Sequence, residues 1–290
     1  MAKFAMLLHS KRVFLFRRIW YNKDNTIGKG AVMRDRYASR PAPEAQADGI
    51  IEGRNAVLEA LRADTPIDKL YLARGETDAA LGHLASTARG KGIAVVECDR
   101  RKLDAMSVTH AHQGVIAVAA VREYASVDDI LNAAREKGEA PLIVVCDELS
   151  DPHNLGAVIR TAECAGAHGV IIPKRRSAGL TATVAKTSAG AVSHLPVARV
   201  ANLTACLKQL KQEGVWVYCA AAGASSSLYD VDWRGPCALV IGNEGKGIGR
   251  LVAETCDGLV AIPMNGKLNS LNASAAAAIL LYEAVRQRLG

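Results

Sequence analysis

Aromatic residues are scarce in this 290-residue chain: three Phe, three Trp and seven Tyr make up 4% of it. Half of the sequence is nonetheless apolar. The excess lies in Ala, Val and Leu, the composition of parallel sheets covered by helices. No uncharged apolar run reaches the roughly 18 residues that a membrane-spanning helix needs, so a helical span is excluded. Cysteine pairing is also missing. Cys98, Cys146, Cys164, Cys206, Cys219, Cys237 and Cys256 are odd in number and scattered, with no CxxC. That argues against a disulfide scaffold and predicts a reduced, cytoplasmic protein with buried thiols. Of seven histidines only His110 and His112 are close neighbours. No acid or thiol stands at ligand spacing from them, so no metal site is expected.

The net charge of +7 is unevenly placed. Residues 1–49 hold 10 Lys and Arg against 4 acids, and the other 241 residues hold 26 against 25. The body is therefore nearly neutral, and any affinity for a polyanion has to come from local clusters. In the basic segment, Lys3, Lys11, Arg12, Arg17, Arg18 and Lys23 surround Phe14, Leu15, Phe16, Ile19 and Trp20. Such a segment suits contact with RNA or a membrane surface, or a transit peptide. The favoured reading is a disordered extension, or a segment ahead of a true start at Met33. The Pro41-Ala42-Pro43 stretch reads as linker.

A small domain is expected over residues 50–121. Helical spacing marks Asn55–Arg62 and Thr77–Gly90, and strand signals mark Lys69–Ala73, Ile93–Glu97 and Gly114–Val121. Residues 122–140 read as a linker containing a helix over Val127–Lys137. From Pro141 to the end, strand and helix signals alternate. The strands are Leu142–Cys146, Gly169–Pro173, Trp216–Ala221, Ala238–Ile241 and Leu259–Ile262. The helices are Leu155–Ala165, Asn202–Glu213, Arg250–Thr255 and Ser274–Arg288. The pattern predicts an α/β fold whose parallel sheet binds ligands at the carboxyl ends of its strands.

Three polar loops follow strands in this second half. The first, Asp151-Pro152-His153-Asn154-Leu155-Gly156, opens a helix in which Asn154 is a plausible cap and Gly156 permits close approach of another segment. Arg160, inside that helix, calls for a partner: either Glu163 or Glu244 in a salt bridge, or a phosphate or ribose. The second loop, Gly242-Asn243-Glu244-Gly245-Lys246-Gly247-Ile248-Gly249, has four glycines in eight residues. Neither the Walker A pattern nor GxGxxG fits, so a standard nucleotide-dependent oxidoreductase is disfavoured and backbone wrapped around a small molecule is expected. The third loop runs Asn265 to Ser274. Its Ser270, Asn272 and Ser274 exceed what one helix cap requires.

The segments DPHNLGAVIRTAECAG (151–166), LVIGNEGKGIG (239–249) and IPMNGKLNSLNASAAAAILLYEAVRQR (262–288), in that order, resemble the three motifs of the SpoU (TrmH-like) family. The segment ending His112-Gln113-Gly114-Val115-Ile116-Ala117 resembles that family's substrate-binding domain. The likeness spans about residues 50–290 and points to the branch acting on guanosine in 23S rRNA. It implies a ribose 2'-O-methyltransferase using S-adenosylmethionine, a C-terminal domain (141–290) of the SPOUT class with a deep trefoil knot, and a homodimer. Carried over by motif, Asn154, Arg160, Glu244, Ser270 and Asn272 would form the catalytic surface. Gly242, Ile262 and Leu271 would contact the cofactor.

A guanidinium is a poor base at neutral pH. Arg160 is therefore expected to bind a phosphate and stabilise alkoxide charge, with Ser270 and Asn272 orienting the hydroxyl. Contact with ribosomal RNA is expected from Lys174, Arg175 and Arg176, and from Arg100 and Arg101. Turn-forming or packing roles are expected of His110 and His112. The alternatives are the same reaction on tRNA or another rRNA nucleotide, and a non-catalytic RNA-binding member. The intact set Arg160, Glu244, Ser270 and Asn272 speaks against the second.

Overall fold

The computed structural model describes residues 49–75 and 78–290. The basic segment and the question of Met33 lie outside the described residues. The chain first forms a four-stranded sheet from β1 (Ile50–Glu52), β2 (Ile67–Ala73), β3 (Ala94–Cys98) and β4 (Val115–Ala119). The order is β1-β4-β2-β3, with β4 antiparallel to β1 and β2, and β3 parallel to β2 at an edge. Period-two alternation decides its faces. Val115 and Ala117 pack under α1 (Arg54–Arg62) and α2 (Ala79–Gly90), whereas Ile116 turns towards Leu103 of α3 (Arg100–Met106).

The second sheet is wholly parallel. Its strands are β5 (Leu142–Cys146), β6 (Gly169–Pro173), β7 (Val197–Val200), β8 (Trp216–Ala220), β9 (Ser226–Ser227), β10 (Cys237–Ile241) and β11 (Gly258–Ala261). Their order is β7-β6-β5-β10-β8-β11-β9. Both faces are covered, which is why the strands read as continuous apolar runs. Leu142, Val144, Leu239 and Ile241 face α5 (Pro152–Cys164), α6 (Ala182–Thr187) and α9 (Ala273–Leu289). Ile143, Val145, Ala238 and Val240 face α4 (Val127–Lys137), α7 (Leu203–Gln212) and α8 (Arg250–Thr255). The segment 122–140 is thus more than a spacer: Ile130 and Leu131 of α4 are buried in the second layer.

Gly156 is needed for packing, since a Cβ there would stand 1.9 Å from the Thr187 hydroxyl oxygen on α6. In α9, Leu280 and Leu281 are buried in the chain's own core while Ile279 and Tyr282 are exposed. The cysteines depart from expectation at one pair. Cys219 at the end of β8 and Cys256 after α8 form a disulfide, because the two elements bring their Cα atoms to 6.3 Å, within bridging range. Cys98, Cys146, Cys206 and Cys237 are buried thiols, and Cys164 is exposed.

Candidate active site

Three loops meet over the carboxyl ends of β8, β10 and β11, as the fold class predicts. The first is anchored by α5. Its cap is Asp151, not Asn154: the Asp151 side chain accepts from the His153 N–H at 2.9 Å, and Pro152 fills the first helical position. This frees the Asn154 amide to reach outward. Its Nδ2 donates to Glu244 Oε1 of the second loop, and its Oδ1 accepts from Asn272 Nδ2 of the third at 2.9 Å. Asn272 is the cap of α9: its Oδ1 accepts from the N–H of Ser274 at 3.0 Å and of Ala275 at 3.3 Å, and from the Ser274 hydroxyl at 2.6 Å. One relay, Glu244–Asn154–Asn272, therefore joins segments up to 118 residues apart.

The glycine-rich loop is shaped by Asn243. Its backbone pairs with Gly247 in both directions, at 3.0 and 2.8 Å, and its Oδ1 accepts from Gly245 N–H at 2.9 Å. Its Nδ2 donates at 3.0 Å to the Glu148 carbonyl, tying the loop to the end of β5. Beneath it, the Asp147 carboxylate accepts from Gly249 N–H at 2.7 Å, and burial pushes its pKa up. The neighbouring Cys146 thiol is pushed up to about 12, by burial first and then by the charges of Asp147 and Glu244, so it stays protonated and inert.

Between the loops lies a cavity of about 380 Å³. Gly242, Ile262 and Leu271, the expected cofactor contacts, line it together with Glu244 and Ser270. Sequence reasoning missed Ala220, Ala221 and Ala222 at the end of β8, Met264, and the organising role of Asn243. Alanines carry no sequence signal for such a role; Asn243 lay in full view within the second motif. A Cβ on Gly242 would meet the Gly247 carbonyl carbon at 2.5 Å and its oxygen at 2.7 Å. Backbone cannot give way there. Gly242→Ala is therefore expected to distort the loop and weaken binding of the expected cofactor by about 5- to 150-fold, from an overpacking cost of about 1–3 kcal/mol. Titration calorimetry would read it, and an unchanged affinity would remove the loop from the site.

Arg160 is the expected site residue that stands apart. It is exposed on α5, lines no part of the cavity, and makes neither of the expected salt bridges among the described residues. The basic clusters also divide. Lys174 is half-buried and Arg175 exposed beyond the end of β6, while Arg176 donates to Glu148 at 2.9 Å. Arg100 and Arg101 begin α3, where Asp99 caps the helix. His112 is buried, accepting from Gly114 N–H and bonded to Asp104, and His110 takes a turn with positive φ. No group of acids, histidines or cysteines among the described residues could hold a metal, and no described helix is long and apolar enough to cross a membrane.

Comparison with known proteins gives consistent matches. Residues 141–282 match the model described as SpoU rRNA Methylase family, and residues 50–125 match that for RNA 2'-O ribose methyltransferase substrate binding. YacO of Bacillus subtilis, named for the TrmH family of tRNA/rRNA methyltransferases, is 49% identical over 84% of this chain and 98% of its own length. A protein of Mycobacterium tuberculosis named as an uncharacterized tRNA/rRNA methyltransferase is 46% identical over 86% of this chain and 77% of its own. Among solved structures, the SpoU methyltransferase AviRb of Streptomyces viridochromogenes, in complex with AdoMet, is 26% identical with a TM-score of 0.54. That match covers 87% of this chain and 94% of AviRb.

Proposed function

The chain belongs to the SpoU (TrmH) family of S-adenosylmethionine-dependent RNA methyltransferases, and on that premise we propose that it methylates the ribose 2'-hydroxyl of a guanosine in 23S rRNA, acting as a homodimer. The relay that joins Asn154, Glu244 and Asn272 beside the Gly242–Ile262–Leu271 cavity carries the reading. The cavity fits the cofactor: its size is that of a small-ligand site, apolar walls at Val260, Ile262 and Leu271 suit an aromatic base, and loop backbone is at hand for polar edges.

When bound, the cofactor supplies a methyl group already activated on sulfonium. The chain's own residues then have to align the ribose and take its proton. Asn154 and Asn272 are committed to holding the loops, since their amide groups are used in the relay and the cap. Hydroxyl contact passes to Ser270, on the cavity wall, and to the Glu244 carboxylate, which lines the same wall. Arg160 supplies charge stabilisation and phosphate contact. The exposed Ile279 and Tyr282 on α9 support a second copy packing on this face. The trefoil knot belongs to the same proposal, supported by the final segment running beside the glycine-rich loop before α9 packs on α5 and β10.

Mapping 2'-O-methyl groups on RNA from cells lacking the protein is the test. Loss at one 23S guanosine, restored by the intact gene, is expected. Loss confined to tRNA or another rRNA nucleotide would move the target, and no loss would remove the activity.

A further inference from the structure

A second concavity opens at the far wing of the carboxyl edge. It is a cleft of about 300 Å³ lined by Arg89, Ile93, Ala94, Val95, Lys174 and Arg175. One wall is the end of α2 and the edge strand β3; the other is the segment leaving β6. Its charged lining is wholly cationic. Among the described residues neither Lys174 nor Arg175 takes part in an ion pair, and Arg89 has only an exposed contact with Glu97 at 3.9 Å. Burial, followed by the charges of Arg199 and Arg175, lowers the Lys174 pKa. Half-buried Lys174 and exposed Arg175 repel one another, and a bound anion would relieve that repulsion.

The cleft has fixed walls. Arg199 of β7 donates to the Asp68 carboxylate of β2 at 2.7 Å, and Lys69 donates to the Ser177 carbonyl at 2.7 Å. Arg175 and Ala201 also line a groove over the ends of β5 and β6 that reaches Glu148. The Glu148 carbonyl is held by Asn243 of the glycine-rich loop. The groove adjoins the cleft through Arg175 and Ala201, and the Glu148–Asn243 bond ties its rim to the loop that lines the cofactor cavity. Two strand spacings, about 10 Å, separate β10 from β6.

Resting on the methyltransferase reading above, we propose that this cleft binds a single-stranded nucleotide flanking the methylated one. Lys174 and Arg175 hold its phosphodiester, and Ile93 and Val95 offer an apolar surface to its base. The pieces come from two sheets, so neither domain alone forms the site.

The full chain is titrated with a 23S rRNA fragment containing the guanosine whose methylation the mapping identifies, over a salt series. The double variant Lys174→Ala/Arg175→Ala is expected to raise the RNA Kd and KM about tenfold or more. It should flatten the slope of log Kd against log salt by about 0.7 for the one phosphate lost. The kcat at saturating RNA and the cofactor Kd should hold. Lys174→Arg/Arg175→Lys should restore binding, and Arg62→Ala, an exposed cation outside the cleft lining and paired with Glu59, should leave Kd and slope alone. Wild-type Kd and slope in the double variant, or an equal loss in Arg62→Ala, would overturn the cleft. Absence of methylation by the wild-type protein would instead overturn the functional reading and the cleft with it.

Discussion

Replacing Arg160 by alanine is expected to lower the methylation rate at saturating substrates by about 10²–10³-fold, the usual loss when one charge-stabilising donor is removed. The cofactor Kd and the unfolding midpoint should not move. Folding makes no use of this side chain: Arg160 is exposed on α5 in one stripe with His153 and Cys164, and no carboxylate pairs with it among the described residues. A cation so placed is available to a ligand. Arg160→Lys should recover little, because an ammonium lacks the planar fork that grips a phosphate or alkoxide in two places. Its position carries a second consequence. Six residues beyond Asn154, it lies about 9 Å further along the helix and on a different face. Within one protomer it does not share the face that carries the relay, so on the homodimer reading it serves the partner's site. Mixing Arg160→Ala protein with Gly242→Ala protein, at a cofactor concentration too low to load the latter, should then give more activity than either alone, since some mixed dimers combine an intact loop with an intact arginine. Near-normal turnover of Arg160→Ala would refute its role. Failure of the mixture to exceed either variant alone would place the arginine within its own subunit's site.

The architecture was legible because parallel strands buried on two faces leave long apolar runs, and the three loops were legible because Asn, Gly and Ser stand out between them. What escaped reading depended on adjacency in space. Asp151 and Asn154 are equally good capping residues by type, and only the coordinates show that Pro152 fixes the helix start at Asp151 and releases Asn154 to bridge two loops. The run 100–102 lies on the surface at the start of α3, and only the coordinates place its Lys102 5.0 Å over the Tyr71 ring. β7 went unseen because only Val197 and Ala198 of its four residues are buried. Cys219 and Cys256 are separated by 37 residues, and nothing local pairs them. Asp68 offered the least warning. In Ile67-Asp68-Lys69-Leu70 it reads as the polar side of a strand, and its partner Arg199 lies 131 residues away.

That pair supplies the largest expected effect on stability. Asp68 is 2% exposed, and its carboxylate accepts from Arg199 at 2.7 Å and from the Tyr124 hydroxyl at 2.7 Å. Arg199 also lies over the Tyr124 ring at 4.0 Å, and the Tyr124 oxygen accepts from Leu180 N–H at 2.9 Å. Gly179 makes room for the cluster, since a Cβ there would stand 1.9 Å from Asp68 Oδ1. Asp68→Ala leaves a guanidinium buried without its counter-charge and should cost about 3–5 kcal/mol in urea unfolding. Arg199→Met alone should cost a similar amount, and the double variant less than the sum, because each single change strands the other's charge. The same cluster sets a pH response. Burial first, and then the Asp68 charge, push the Tyr124 pKa well above its ordinary value. A raised folded-state pKa gives stability that is complete below the unfolded tyrosine value of about 10 and is lost as pH climbs through the folded one. Stability should therefore fall above about pH 10, and Tyr124→Phe should flatten that decline. A loss below about 1 kcal/mol in Asp68→Ala, or strict additivity in the double variant, would show that the Asp68–Arg199 pair does little to hold the two sheets together.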